Sequence, residues 1–141
     1  MNRLPWLRHG HSTTRVVVHI VWATHRRVPS LPEAVDARLA RLVADKCGEL
    51  GCRAVAVGNA ADHVHALVVL AATASVASLA HRLKGATSRI LGMQLERPFG
   101  WQAGYFAESV VDVAVVARYV RGQREHHRGS ARPEGWEGIA R

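Results

Sequence analysis

Residues 62–70 read Asp62-His63-Val64-His65-Ala66-Leu67-Val68-Val69-Leu70, DHVHALVVL. So dense a run of valine and leucine predicts a strand packed into a core, yet it opens with two histidines behind an aspartate. Successive side chains of a strand point to opposite faces. His63 and His65 therefore share one face, with Cα atoms roughly 6.5–7 Å apart, while Val64 points to the other. Two imidazoles so placed are able to share one divalent metal ion. In a regular strand Asp62 projects to the opposite face and is not counted as a ligand. The pair by itself is a weak signal, because nine histidines in 141 residues place such pairs on open sheet faces by composition. The expectation is a strand anchored in the core through Val64, with His63 and His65 facing outward.

The neighbouring segments supply the rest of a sheet. Residues 52–57 (CRAVAV) read as a short strand and Gly58-Asn59 as a turn, so this strand and the next form a hairpin. Residues 14–24 (TRVVVHIVWAT) are β-branched and aromatic and predict another strand, with His19 on its solvent face. Ser30-Leu31-Pro32-Glu33 reads as a helix start, followed by Val35, Leu39, Leu42, Val43, Cys47 and Leu50 at helical spacing and by Gly51 as a stop. Cys47 is thus a core residue. A second helix is predicted over 75–91 with Val76, Leu79, Leu83 and Ile90 inward, a strand over 101–107 (WQAGYFA), and a last helix over 112–127. The order β-α-β-β-α-β-α predicts an α+β, ferredoxin-like domain: four antiparallel strands with two helices on one face. The extra C-terminal helix is left to pack at the sheet edge or against a partner. Residues 1–13 read as a flexible N-terminal arm, 14–128 as one domain, and 129–141, which include Trp136, as a disordered tail.

Composition narrows the class of partner. The chain is 48% hydrophobic and 21% charged, enough for a real core. Its net charge is +8 and its pI about 11, which favours a polyanion, nucleic acid before membrane. Of 19 basic residues only Lys46 and Lys84 are lysine, a usage that GC-rich coding also gives. Two cysteines argue against a disulfide framework or a zinc set. No apolar run approaches the roughly 20 residues of a membrane span, and no secretory signal core follows the N-terminus, so the expected compartment is the cytoplasm.

The last helix carries a second candidate group. Tyr119 and Gln123 stand at i and i+4, neighbours on one helix surface. Val113, Val116, Ala117 and Val120 define the buried stripe, with Tyr119 on its flank. On such a flank a tyrosine commonly packs with its hydroxyl in water. Arg118, Arg121, Arg124 and Arg128 surround it in sequence, and cations favour a phenolate and attract a phosphodiester.

Taken together, these segments resemble the single-tyrosine HUH transposases of small bacterial insertion sequences, the IS200-like family that includes the REP-associated tyrosine transposases. The similarity runs through HIVWATHRR (19–27), His63-Val64-His65, Leu83-Lys84-Gly85-Ala86-Thr87-Ser88-Arg89, Trp101-x-x-x-Tyr105-Phe106 and Arg118-Tyr119-Val120-x-x-Gln123, about residues 14 to 125. The resemblance implies a DNA transposase that nicks and rejoins single-stranded DNA at hairpin ends, without a nucleotide cofactor. It implies Tyr119 as nucleophile, with His63, His65 and Gln123 holding a divalent metal, Mg²⁺ or Mn²⁺. It also implies a homodimer with two sheets merged edge to edge, in which the tyrosine helix can serve the partner's histidines. Arg26, Arg27, Lys84, Arg89, Arg118 and Arg121 are the candidate nucleic-acid contacts. Trp22, Trp101, Tyr105 and Phe106 are candidates for stacking on bases, at least half of them core instead.

Two departures fall on the tyrosine helix. A glycine turn is expected after Phe106, where this chain has Glu108-Ser109-Val110-Val111. Gly122 lies between Tyr119 and Gln123 and costs about 1 kcal/mol relative to alanine in a helix. Gln123 is thereby open to displacement, with His126 or His127 as substitute ligands. Two further readings stand beside the enzyme: a module that grips a DNA or RNA hairpin without cutting, and a plain ferredoxin-like dimer with a basic surface.

Overall fold

The computed structural model describes residues 4–128, with side chains to residue 125. Four strands form one antiparallel sheet in the order β4-β5-β3-β6, with β3 Val16–Ala23, β4 Arg53–Asn59, β5 His63–Leu70 and β6 Phe106–Ser109. Helices α1 (Asp36–Glu49) and α2 (Val76–Leu95) complete the expected ferredoxin-like arrangement. A short α3 (Val113–Arg121) and α4 (Gln123–Arg128) follow β6.

The two central strands are buried on both faces. One face, with Val18, Ile20, Trp22, Val64, Ala66 and Val68, packs against Leu39, Val43 and Cys47 of α1 and Leu79, Leu83 and Leu91 of α2. On the other, Val17, Leu67 and Val69 meet Ala117 and Val120 of α3. The last helix therefore lies across the second face of the sheet, not at its edge. His63 and His65 do not face outward: both are fully buried beneath this helix. His19 is likewise buried, 1% exposed, where the sequence suggested a solvent face. The physical reason is the unbroken apolar run of β5. Leu67 and Val69 share the histidines' face and are apolar because that face is covered too.

Several boundaries differ from the sequence reading. Leu7–His9 and Ser12–Thr14 pair as a hairpin, β1-β2, turning at Gly10 (φ 58°), where a loose arm was expected. Its residues are too polar to show an alternating apolar signal. The helix start at Ser30 is displaced: Leu31 is buried and its N–H bonds Ala61 O at 2.9 Å, so Pro32 stays extended. One 3₁₀ turn, Glu33–Val35, precedes α1. Helix α2 starts at a reciprocal cap, Ser75 Oγ accepting from Ser78 N and Ser78 Oγ from Ser75 N, and runs on to Leu95. The strand expected from Trp101 begins only at Phe106. Residues 102–104 instead curl over Lys84, whose ammonium donates to Gln102 O (2.8 Å) and Gly104 O (2.9 Å), with Gly104 at φ 84°. Cys47 is core as predicted, and burial pushes its thiol pKa up to about 12.

Candidate active site

Three elements bring the site together. β5 supplies His63 and His65; their neighbours across the ladder are Ala23 and Val21 on β3 and, for His65, Gly58 on β4. Gly58 is small for a reason: a Cβ there would stand 1.8 Å from the carbonyl oxygen of Val120. The backbone of α3 rests directly on β4 at this point, which seats Tyr119 above the histidines of its own chain. The rings of Tyr119 and His65 cross at 80° with centroids 5.6 Å apart.

Asp112 caps α3, its side chain accepting from Val115 N, and replaces the expected glycine turn. The helix ends at Gly122 (φ −94°, ψ 21°) and restarts as α4. This break does not displace Gln123. Its side chain is fully buried, Nε2 donates to Tyr119 O (3.0 Å), and Oε1 lies 3.0 Å from His63 Nε2. α4 is tied down further on: Arg124 grips Asp36 through Nε (2.7 Å) and Nη2 (2.8 Å), and donates to Leu31 O. The side chains of His126, His127 and Arg128, and all of Trp136, lie outside the described residues.

Each histidine of the pair has a partner at Nδ1. His63 Nδ1 is 2.7 Å from Asp62 Oδ1, and Arg27 Nε holds Asp62 Oδ2 at 3.1 Å. Asp62 sits in the turn before β5, so strand alternation does not govern it and it reaches the histidine after all. Burial pushes its pKa up, but the His63 bond and the charges of His63 and Arg27 outweigh this and hold it below the usual carboxylate value. His65 Nδ1 is 2.7 Å from His19 Nε2, and His19 Nδ1 is 3.1 Å from Glu108 Oε2. Burial lowers the His19 pKa, offset in part by Glu108.

The donor set suits a divalent cation. In the neutral His63 ring with Nδ1–H on Asp62, the remaining nitrogen carries a lone pair that faces an amide oxygen across 3.0 Å; in the charged ring it donates to that oxygen. Two acceptors at that separation need a proton or a metal ion between them. Among the described residues no group of three or more His, Cys, Asp or Glu side chains is placed to hold a metal. The donors gathered here are two imidazoles and the Gln123 amide oxygen, and imidazoles suit manganese better than magnesium.

Tyr119 is not a phenol in water among cations. Its hydroxyl is buried, and burial raises its pKa, offset in part by a bond with the Gln123 side chain. The nearby arginines are engaged elsewhere or exposed: Arg124 on Asp36, Arg121 on Val55 O (3.3 Å), Arg118 on the surface. The proposed nucleic-acid contacts separate into groups. Arg26 is exposed, with its backbone N–H on Gln102 Oε1; Arg27 is committed to Asp62. Both adopt left-handed backbone, φ 55° and 59°, a strain of the kind that gathers at functional sites. Lys84 and Arg89 lie on α2, across the sheet from Tyr119, and Lys84 is occupied by loop carbonyls. Trp22 and Trp101 are packing residues, the latter donating Nε1–H to Thr87. Tyr105 is exposed and Phe106 packs on Val21 and Ala23.

Sequence reasoning missed His19, Glu108 and Asp62 as partners of the pair. The two-sided apolar pattern of residues 16–23 was the available signal for His19. Glu108 becomes its neighbour only through the β3–β6 register.

Comparisons with known proteins agree with this architecture. A crystal structure of a candidate transposase from Deinococcus radiodurans R1 superposes with a TM-score of 0.67 at 23% identity, over 83% of this chain and 97% of that one. A REP-associated tyrosine transposase bound to a REP hairpin gives 0.53 at 10% identity, over 85% and 67%. At these identities the likeness is one of fold. No curated protein matches. The family model described as "Transposase IS200 like" matches residues 12–123, and the chain belongs to the IS200-like transposase family.

Proposed function

We propose that this chain nicks and rejoins single-stranded DNA at hairpin ends, with Tyr119 as nucleophile and His63, His65 and Gln123 as holders of Mg²⁺ or Mn²⁺. The observation that carries this reading is the seating of Tyr119 and Gln123 over the histidine pair, with Gln123 Oε1 at 3.0 Å from His63 Nε2. In the reaction Tyr119 Oη bonds to phosphorus and the P–O3′ bond breaks, giving a 5′-phosphotyrosine and a 3′-OH. The proton lost by the phenol is balanced by the one gained at O3′. Conserving the ester in this way lets a 3′-OH reverse the step, with no nucleotide cofactor. A bound divalent cation supplies Lewis acidity toward the phosphoryl group and offsets charge developing there. The Tyr119 carbonyl accepts from the Gln123 amide and so turns Gln123 Oε1 toward His63, and Asp62 orients His63. The family and the hairpin held by the REP-associated relative support DNA as the partner. The reading includes a homodimer, for which the exposed apolar side chains of Val111 and Val115 offer surface, and a cytoplasmic location. No helix among the described residues is long and apolar enough to cross a membrane.

One observation favours a second reading, a module that binds hairpins without cutting them. The Tyr119 hydroxyl and both histidines are buried, so a phosphate reaches them only if α3 shifts.

The test is a single-stranded hairpin from DNA flanking the gene, incubated with Mg²⁺ or Mn²⁺. The enzyme reading expects a detergent-resistant protein–DNA adduct that Tyr119→Phe abolishes. Tight binding with no adduct under either metal establishes the module instead. Manganese titration of His63→Ala checks the cation set; unchanged affinity would remove it.

A further inference from the structure

His19 is a polar side chain in the middle of β3, buried against the histidine pair. Its ring lies 20° from the plane of His65, with centroids 5.0 Å apart and the Nε2–Nδ1 distance of an in-line hydrogen bond. Its other nitrogen meets Glu108, its cross-strand neighbour on β6. The Glu108 side chain is 48% exposed, and a carboxylate facing water only accepts. The proton on His19 is then at Nδ1. A neutral imidazole with its proton there has a lone pair at Nε2, so His65 Nδ1 must donate the short bond. That leaves the His65 lone pair on Nε2.

We propose that Glu108 and His19 form an orienting relay, running from β6 through β3 to β5, that fixes His65 as its Nδ1–H tautomer and so presents Nε2 to the cation. The inference rests on reading His63 and His65 as the cation-holding pair. Both Glu108 and His19 are positioning residues and touch neither cation nor DNA. The two histidines are thus oriented by separate routes: Asp62, one residue away, for His63, and a chain across three strands for His65. Such outer partners set the tautomer of a ligand and strengthen its basicity, and their loss weakens metal binding by about 10–100-fold. A histidine that merely fills the core would hold no such control over its neighbour's proton.

The experiment uses the full chain without DNA. Long-range ¹H–¹⁵N correlations of the imidazole nitrogens at pH 7.5, metal-free, read each tautomer directly. The relay requires Nδ1–H at both His19 and His65. In Glu108→Ala the Nε2–H form of His65 appears and Mn²⁺ affinity, measured by calorimetry, falls about tenfold or more. Glu108→Gln keeps an acceptor oxygen and restores both. Glu108 is a surface residue, so the variants fold, and circular dichroism verifies it. Two results overturn the relay: His65 protonated at Nε2 in the wild type, or a Glu108→Ala chain with tautomer or Mn²⁺ affinity unchanged. Wild-type protein that binds no Mn²⁺ overturns the underlying site as well; Mn²⁺ binding with the wrong tautomer overturns the relay alone.

Discussion

The two faces of one sheet have different contents. On the α1–α2 face, Ile20, Trp22, Val64, Ala66 and Val68 meet leucine and valine side chains. On the α3 face apolar residues fill one end, and His19, His63, His65, Tyr119 and Gln123 fill the other. Both faces are read from the same strands by a period of two. The difference teaches that β5 does two jobs by alternation: Val64 and Val68 hold the apolar core, and His63 and His65 build a buried polar network with Asp62, His19 and Gln123.

Substitutions on each face sharpen this contrast. Trp22→Ala empties the largest fully buried side chain on the α1–α2 face and should cost about 3–5 kcal/mol in chemical denaturation, with DNA chemistry failing only as the fold fails. Gly58→Ala comes next. Its methyl collides with the Val120 carbonyl, so α3 must shift, at about 1–3 kcal/mol, and adduct formation should vanish while the α1–α2 core stays intact by near-ultraviolet circular dichroism. A Gly58→Ala protein with full activity would show that α3 need not sit on β4. Asp36→Ala removes the grip on Arg124 and should cost about 1.5 kcal/mol, loosening α4 first by hydrogen exchange. On the outer surface, Glu49→Gln removes exposed pairs with Lys46 and Arg82 and should leave the melting temperature unchanged.

Cys47 provides a pH check on the apolar face. Its folded pKa, about 12, lies above the ordinary thiol value, so its burial favours folding below about pH 9 and that contribution is lost as pH rises toward 12. Iodoacetamide at pH 8 should therefore label Cys47 only after unfolding.

Much of this contrast was legible in the sequence. The helices around Leu39 and Leu83 and the hairpin of residues 53–70 follow from periodicity, because each buries one continuous stripe. The pairing of His63 and His65 follows from alternation. What escaped depends on relations no local pattern carries. That α3 covers the histidines was signalled only by the apolar Leu67 and Val69 on their own face. Asp62 was misdirected because it lies in a turn, outside strand alternation. The His19–Glu108 contact depends on strand register across 89 positions. The hairpin of residues 7–14 is polar and held by backbone pairing.

The central claim is that the α3 face carries the reaction through one side chain. The chain has two tyrosines, the buried Tyr119 over the histidines and the exposed Tyr105 in the loop before β6. Peptide mapping by mass spectrometry of the adduct formed with a flanking DNA hairpin and Mn²⁺ separates them. The account predicts a nucleotide bonded to Tyr119; modification at Tyr105, or an adduct that persists in Tyr119→Phe, would contradict it.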